Sequence, residues 1–187
     1  MALLTKSKSA KLGIPPAFKD RVVIRCTDHK FGPNSNDNPM ITVNWELLGI
    51  PGATGKIETE MERGGVKYQL AGLRVNSSYF TLVQKAIDGF YAEFYCKANN
   101  EPEFPGVDSE NPDTDFLDSL CMEAIVTGQS QIERKLLTDE EKAAKKAAGE
   151  QPIGEPITDG DGNEIIRTVL NINMWLKKWE GDVPIPF

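Results

Sequence analysis

Histidine and cysteine are scarce in this sequence of 187 residues, which has one histidine and three cysteines. Cys26, Cys96 and Cys121 are far apart and form no CxxC pair, and His29 has no second histidine to share a metal with. Structural zinc sites need four such ligands at short spacings. We therefore expect reduced, partly buried thiols and no metal or other cofactor.

Long hydrophobic runs are also missing. No stretch approaches the roughly 20 apolar residues that a membrane-spanning helix needs. The first residues, MALLTKSKSAKLG, carry positive charge but no apolar stretch follows them, which is not typical of a secretory signal. These absences predict a cytoplasmic protein with no membrane partner.

Catalytic signatures are absent as well. The sequence has no Gly-rich phosphate-binding loop, no GxSxG nucleophile motif, and no Cys/His pair in a recognisable family context. We predict that the protein is not an enzyme.

Two acidic stretches leave alternatives that involve metal ions. DGDGNE at residues 159–164 resembles the start of an EF-hand loop, but Glu164 and Leu170 stand where a glycine and a glutamate belong, so we interpret it as a hairpin turn. The other stretch lies on a proline-broken loop, which favours a solvated acidic loop over a two-metal nuclease centre. Its carboxylates belong to Asp108, Glu110, Asp113, Asp115 and Asp118.

The net charge of −7 is unevenly distributed. Residues 1–30 carry seven Lys/Arg against two acids, a net of +5, whereas residues 97–164 carry six against seventeen, a net of −11. Segregated charge allows an acidic protein to meet an anionic partner through its basic region. The overall acidity therefore does not exclude nucleic-acid binding.

Alternating apolar and polar residues predict a mainly β fold. The clearest strand covers residues 40–48, where Ile41, Val43, Trp45 and Leu47 share one face. The other predicted strands cover residues 21–26, 56–63, 120–136 and 165–179.

Two helices are predicted. The near-helical spacing of Phe80, Val83, Ile87 and Phe90 predicts a packed helix over about residues 77–88. A capping box formed by Thr138 with the glutamate three residues later predicts a short exposed helix that ends before the glycine at position 149.

About five strands with one packed helix between the third and fourth form the arrangement of a small OB-like barrel, and a β-sandwich remains the alternative. The expected organisation is a flexible basic arm at 1–12, one OB-like domain at 13–179 and a C-terminal tail at 180–187. The domain carries acidic insertions at 99–118 and 138–162.

Single-stranded nucleic acids are held by a basic groove together with exposed aromatic rings on which bases stack. Trp45 and Phe80 lie on the apolar faces of their predicted elements, so we expect them to be buried. The predicted nucleic-acid-binding residues are Lys19, Arg21, Arg25, Lys30, Phe31, Lys56, Arg63, Lys67, Tyr68, Arg74 and Tyr79.

The sequence ends in WEGDVPIPF, whose prolines favour an extended, preorganised segment. This segment resembles the carboxy-terminal tip of bacterial single-stranded DNA-binding proteins, which end in acids followed by Ile-Pro-Phe. The resemblance implies that Asp182, Ile185, Pro186 and Phe187 dock replication or recombination proteins. The segment departs from that pattern, because it has two acids instead of a dense acidic run and lacks a long flexible linker. Alternatively, Phe187 folds back onto its own domain, or the tail covers the groove until DNA displaces it.

The body is similar in layout to phage-encoded single-stranded DNA-binding proteins. The shared features are a basic first strand, an Asn/Pro-rich turn before NPMITVNWELLG, and a helix before an acidic loop. The resemblance implies sequence-tolerant binding and protection of single-stranded DNA in the host cytoplasm. A protein-only accessory or scaffold protein is the alternative, because such a role would also explain the tail.

Overall fold

The computed structural model describes residues 11–183. The predicted arm therefore lies outside the described residues except for its last two positions. Ile185, Pro186 and Phe187 of the predicted docking tip also lie outside them.

The fold is mainly β, with 44% of the residues in strands and 18% in helices. The chain divides into two compact units. Unit 1 comprises the described parts of Met1–Gly128 and Leu170–Phe187, and unit 2 comprises Gln129–Val169. The acidic insertion at 99–118 belongs to unit 1, and the one at 138–162 belongs to unit 2.

Within residues 11–183, nine strands form two sheets. The larger sheet has the order β4-β3-β2-β8-β9, with β7 also pairing with β3, and the smaller sheet has the order β1-β6-β5. The strands are β1 (Lys11–Leu12), β2 (Lys19–Pro33), β3 (Pro39–Pro51), β4 (Ile57–Glu58), β5 (Glu60–Arg63), β6 (Val66–Gln69), β7 (Leu73–Thr81), β8 (Cys121–Ile132) and β9 (Ile166–Lys178).

The alternation that predicted the strand at 40–48 is confirmed in β3. Its apolar positions Ile41, Val43, Trp45 and Leu47 are buried, while the polar positions between them are partly exposed. One face of β3 therefore forms the core of unit 1. The opposite face remains available to solvent or to a ligand.

The predicted helix at 77–88 is wrong in its first half, because β7 extends through Thr81. Phe80 lies directly opposite Ile41 on β3, so the strand pairing buries the side chain that also fits a helical spacing. Helical structure begins at α1 (Gln84–Ala86), continues through a π-helical turn (Ile87–Tyr91) and ends with α2 (Ala92–Asn99).

Further boundaries also differ from the prediction. The region predicted as one strand at 56–63 is split into β4 and β5, and β6 follows the glycine turn at 64–65. The strand predicted at 21–26 extends over the whole of β2. The predicted number of about five strands is therefore too low, because residues 11–183 form nine.

An aromatic cluster fills the core of unit 1. The Trp45 ring lies 5.1 Å from the Trp175 ring and 6.2 Å from that of Phe94, measured between ring centroids. Phe94 in turn stacks on Phe80 at 4.5 Å. The sequence-based expectation that Trp45 and Phe80 are buried is confirmed, since each is 1% exposed.

The acidic loop at 99–118 is attached to this core by two phenylalanines. Phe104 and Phe116 each contact the ring of Tyr95 edge-on, at 5.4 and 5.2 Å. Its regular structure is limited to the end of α2 at Asn99 and a 3-10 turn at Asp115–Leu117. The loop is therefore irregular, as predicted, but it is anchored by apolar contacts.

Unit 2 contains the predicted exposed helix, α3 (Asp139–Ala147). Its capping box is confirmed: Thr138 accepts a hydrogen bond from the Glu141 amide, and the Glu141 carboxylate accepts one from the Thr138 amide. The turn at 159–163 joins a bridge between Thr158 and Glu164, as expected for a hairpin. Among the side chains described in unit 2, none is buried.

The described pairings place β4 and β7, which both pair with β3, at one end of the larger sheet and β9 at the other. A side-chain hydrogen bond of 2.7 Å from Asn76 Nδ2 to Asn171 Oδ1 joins β7 to β9. Within residues 11–183, no helix has the length and apolar character to span a membrane.

Candidate nucleic-acid interface

Three neighbouring strands present a polar surface on the side away from the core. Residues that are directly opposite in an antiparallel ladder project from the same face of the sheet. We call this surface the outer face, and it comprises Arg25, Asp28 and Lys30 of β2, Thr42, Asn44 and Glu46 of β3, and Arg74, Ser77 and Tyr79 of β7.

One row of the outer face combines a cation with an exposed ring. Lys30 lies opposite Thr42, and Thr42 lies opposite Tyr79. Tyr79 is 60% exposed, which makes it the most exposed aromatic ring in the described part of the chain. This row offers an ammonium group for a phosphate and a ring for a base.

The next row is rich in hydrogen-bonding groups and carries one negative charge, that of Asp28. Asn44 lies opposite Asp28 and donates to its carboxylate at 3.3 Å, while Ser77 donates to Asn44 Oδ1 at 2.6 Å. The ladders shift register beside this row, on β2 between Cys26 and Asp28 and on β3 after Val43. Such bulges bend a strand and redirect its side chains.

A third row alternates in charge. Arg25, Glu46 and Arg74 lie opposite one another on β2, β3 and β7, and Arg25 forms an ion pair with Glu46. A depression of about 320 Å³ opens beside this row. It is lined by Thr27, Asn44, Trp45, Glu46, Gly72 and Arg74.

Two of the predicted arginines are engaged in ion pairs elsewhere. Arg21 pairs with Glu123, a carboxylate that is only 1% exposed and that Lys177 also approaches at 3.4 Å. Arg63 lies 3.4 Å from the carboxylate of Asp20. The guanidinium charge of each is thus offset by a carboxylate of the fold.

The remaining predicted residues are distributed over other surfaces. Lys19 lies at the start of β2 opposite Thr127, and Lys56 follows the short turn at Ala53–Gly55. Lys67 and Tyr68 lie on β6 in the smaller sheet. Of the eleven predicted residues, the outer face brings together four, which are Arg25, Lys30, Arg74 and Tyr79.

Phe31 differs from the other candidates because of the face it occupies. It lies opposite Ile41, so it projects toward the core side of the sheet, and it remains 37% exposed at the end of β2. Tyr68 is half-buried and packs against the same core. Both rings therefore contribute to packing as well as to the surface.

The sequence-based reasoning missed the neutral members of the outer face, Thr42, Asn44 and Ser77. For the first two, the alternation of β3 carried the signal, since it assigned residues 42, 44 and 46 to the side opposite the apolar positions. Ser77 was hidden by the incorrect helix prediction.

The last described residues fold onto the turn after β3. The Asp182 amide donates to Gly55 O at 3.0 Å, and the Trp179 indole N–H donates to Asp182 O at 3.3 Å. The Trp179 ring packs with Ile57 against a small buried cluster of Val23, Leu48 and Cys121. Asp182, the described member of the predicted docking tip, keeps an exposed side chain.

Titratable groups outside this face are engaged locally. Burial raises the pKa of Cys26 to about 11 and also raises the pKa of Cys121, so both thiols stay protonated near neutral pH. His29 Nε2 contacts the carboxylate of Asp118 at 2.9 Å.

The carboxylates of the alternative metal sites accept hydrogen bonds within their own loops. Asp108 accepts from the amides of Glu110 and Asn111, and Asp159 accepts from those of Asp161 and Asn163. These bonds lower the pKa of Asp159. Across residues 11–183, no group of three or more His, Cys, Asp or Glu side chains is arranged to hold a metal ion.

Comparisons with known proteins leave the geometry as the basis for any functional conclusion. No family model matches the chain, and no curated protein or solved structure matches it significantly either.

Proposed function

We propose that this protein binds single-stranded DNA with little sequence preference and protects it during replication or recombination, as phage-type single-stranded DNA-binding proteins do. The observation that carries the proposal is the outer face, where Lys30 of β2 and both Arg74 and the exposed ring of Tyr79 of β7 flank β3. Basic side chains beside an exposed ring suit a ligand that is both anionic and aromatic.

The rows suggest how a strand would lie. Thr42 and Glu46 are four residues apart on β3, which is about 13 Å. Lys30 in the first row and Arg74 in the third can therefore contact phosphates that are not adjacent in the strand, while Tyr79 stacks on a base beside the first row. Asn44 and Ser77 supply hydrogen-bonding groups that any base can use, which accords with binding that tolerates many sequences.

We further propose that unit 1 is an OB-like barrel. The hydrogen bond from Asn76 of β7 to Asn171 of β9 supports this, because it joins strands from opposite ends of the larger sheet. OB folds bind single strands on the surface of their central strands.

The partner proteins and the compartment are further parts of the proposal. The tip at Asp182 and Ile185–Phe187 would dock replication or recombination proteins, and the chain would act without catalysis in the cytoplasm, the host cytoplasm if it is phage-encoded. The support is the sequence of the tip and the exposed Asp182 side chain.

The test is fluorescence anisotropy of a labelled oligo-dT with the full chain over a salt titration. Tyr79→Ala should weaken binding by about 5- to 150-fold, since stacking on one base contributes about 1–3 kcal/mol. Tyr79→Phe, which keeps the ring, should bind like the wild type. Lys30→Ala should reduce the salt slope by about 0.7, the value for one phosphate contact on a single strand.

Lys146→Ala on the exposed helix α3 is the matched control and should change nothing. A folded wild-type chain without salt-dependent binding would refute the proposal and favour the protein-only scaffold. Magnesium-dependent shortening of the oligonucleotide, lost in Asp113→Ala or Asp115→Ala, would favour a nuclease instead. Tighter binding after removal of residues 180–187 would indicate that the tail competes with DNA.

A further inference from the structure

We infer that Glu46 limits the affinity of the outer face by occupying the position beside Arg25 and Arg74 that a backbone phosphate of the bound strand would take. This inference rests on the proposed function and concerns how the same site is regulated. It assigns a role to the one acidic residue among the residues that line the depression.

The first observation is the charge order across the strands. Opposite residues in neighbouring antiparallel strands have Cα atoms about 4.5–5.5 Å apart, so Arg25, Glu46 and Arg74 form a row in which Glu46 lies between the two arginines. The pair of Arg25 and Glu46 is partly buried, with side chains 21% and 25% exposed. Charges interact more strongly in such a setting than in open water.

The second observation is that Glu46 engages only one of its two neighbours directly. It forms an ion pair with Arg25, whereas Arg74 is exposed and makes no ion pair within residues 11–183. Arg74 therefore keeps its hydrogen-bond donors available beside a carboxylate that reduces the local positive potential.

The third observation is the composition of the depression. Arg74 brings hydrogen-bond donors to the depression, whereas the Thr27 hydroxyl already donates to Asn44 O and the Asn44 amide to Asp28. Gly72 has a φ of +86°, and no atom lies within 4 Å of the position that a Cβ would occupy there, so the depression is open on this side. Arg74 therefore offers an anion a charged donor in this lining, and Glu46 opposes an anion there.

These observations assign two states to the row. In the free protein Glu46 holds Arg25, which compensates the charge of one of the two arginines in the row. When a strand binds, a phosphate contacts Arg74 and competes with Glu46 for Arg25. The carboxylate thus weakens binding to any anion, and its effect should grow as salt is removed.

The experiment compares oligo-dT binding by the full-length wild type and Glu46→Gln over a salt titration. The glutamine keeps the length of the side chain and a hydrogen-bond acceptor for Arg25 but lacks the charge. We expect about tenfold tighter binding at low salt and a salt slope steeper by about 0.7, as for one further phosphate contact.

Two controls make the result specific. Glu62→Gln removes the same charge from β5 in the smaller sheet and should leave both affinity and slope close to wild type. In the double variant Glu46→Gln with Arg74→Ala, the gain in oligo-dT affinity that Glu46→Gln produces should disappear. Glu46→Thr, with a residue suited to strands, is measured in parallel in case the glutamine variant does not fold.

The outcomes separate this inference from the proposed function. If the wild type binds and both folded Glu46 variants bind no more tightly, the role of Glu46 is refuted and the proposed function stands. If neither the wild type nor the Glu46 variants bind, both are refuted. An equal gain in Glu62→Gln would also refute the inference, because it would indicate an effect of net charge alone.

Discussion

Units 1 and 2 both combine antiparallel β pairing with a helix, but they differ in what stabilises them. Unit 1 buries more than twenty apolar side chains around Trp45 and Phe94. Unit 2 buries none of its described side chains, and its Leu136 is 98% exposed. Its order rests on backbone hydrogen bonds, such as those joining Glu133 to Ile157 and Ile165, and on the capping box of α3. Backbone hydrogen bonds and a helix cap therefore suffice to form the secondary structure of unit 2, whereas a core requires large apolar residues at regular positions.

The largest expected effect on stability comes from creating a cavity in the core of unit 1. Trp45→Ala removes the ring that packs against Phe94 and Trp175 and the hydrogen bond to Ser78, and it should cost about 3–5 kcal/mol of unfolding free energy. Leu136→Ala in unit 2 should change it by less than about 0.5 kcal/mol. Urea unfolding followed by circular dichroism measures both, and similar costs at the two sites would contradict the comparison.

The next largest effect concerns the buried carboxylate of unit 1. Arg21→Ala leaves the buried Glu123 with Lys177 as its described cationic neighbour, so we expect a loss of about 1–3 kcal/mol. Lys142→Ala, which breaks an exposed pair with Asp139 in unit 2, should have little effect. Unfolding at neutral pH tests the contrast. A stable Arg21→Ala protein that has lost DNA affinity would instead indicate that Arg21 acts in binding.

A smaller effect of opposite sign is expected at Tyr91. Its hydroxyl is buried and finds no hydrogen-bond partner in the described part of the chain, so Tyr91→Phe should stabilise unit 1 by about 1 kcal/mol. Burial also raises the pKa of Tyr91 to about 12, so the folded state keeps the proton while the unfolded chain loses it near pH 10.

Stability should consequently fall as the pH rises from about 10 to 12, and the gain from Tyr91→Phe should be larger at pH 11 than at pH 7. Cys26, with a pKa raised to about 11, adds to the same alkaline loss from about pH 9 upward in the variant and the wild type alike. Unit 2 contains neither tyrosine nor cysteine and should not share this sensitivity. Chemical unfolding at the two pH values measures the difference. An equal stabilisation by Tyr91→Phe at pH 7 and pH 11 would refute the raised pKa of Tyr91.

The smallest effect is expected from removing unit 2. Gly128 and Leu170 are close, since a Cβ added at Gly128 would stand 2.9 Å from Leu170 Cδ2, and Thr127 hydrogen-bonds Asn173 across β8 and β9. Replacing residues 129–169 by a short glycine-containing turn should leave the near-ultraviolet circular dichroism and the urea midpoint of unit 1 almost unchanged. Loss of cooperative unfolding would show that unit 1 depends on unit 2.

The sequence predicted those features that depend on nearby residues. The alternation of β3 and the capping box of α3 are local, and both are confirmed. The helix at 77–88 failed because Phe80 fits both periodicities, and only its distant partner Ile41 decides between them. Two further apolar residues at helical spacing, Tyr91 and Phe94, indicate instead a helix that lies later in the chain.

In the candidate site, too, features that depend on nearby residues could be predicted and those that depend on distant residues could not. The positions of Lys30 and Tyr79 on an exposed face agree with the basic and aromatic pattern of the sequence. The ion pairs of Arg21 and Arg63 depend on residues 102 and 43 positions away, so no local pattern could reveal them. The row that places Glu46 between Arg25 and Arg74 likewise arises only when three strands meet.

The position of β2 between β3 and β8 has a consequence for the order in which the protein folds. Its pairing with β3 joins residues close in sequence, such as Pro33 and Pro39, and can form as soon as both have left the ribosome. Its other edge must wait for β8, because Lys19 pairs with Thr127. Contacts so distant in sequence slow folding. A nascent chain therefore exposes one edge of β2 until synthesis has passed β8, and during that interval it is most prone to pair with another chain.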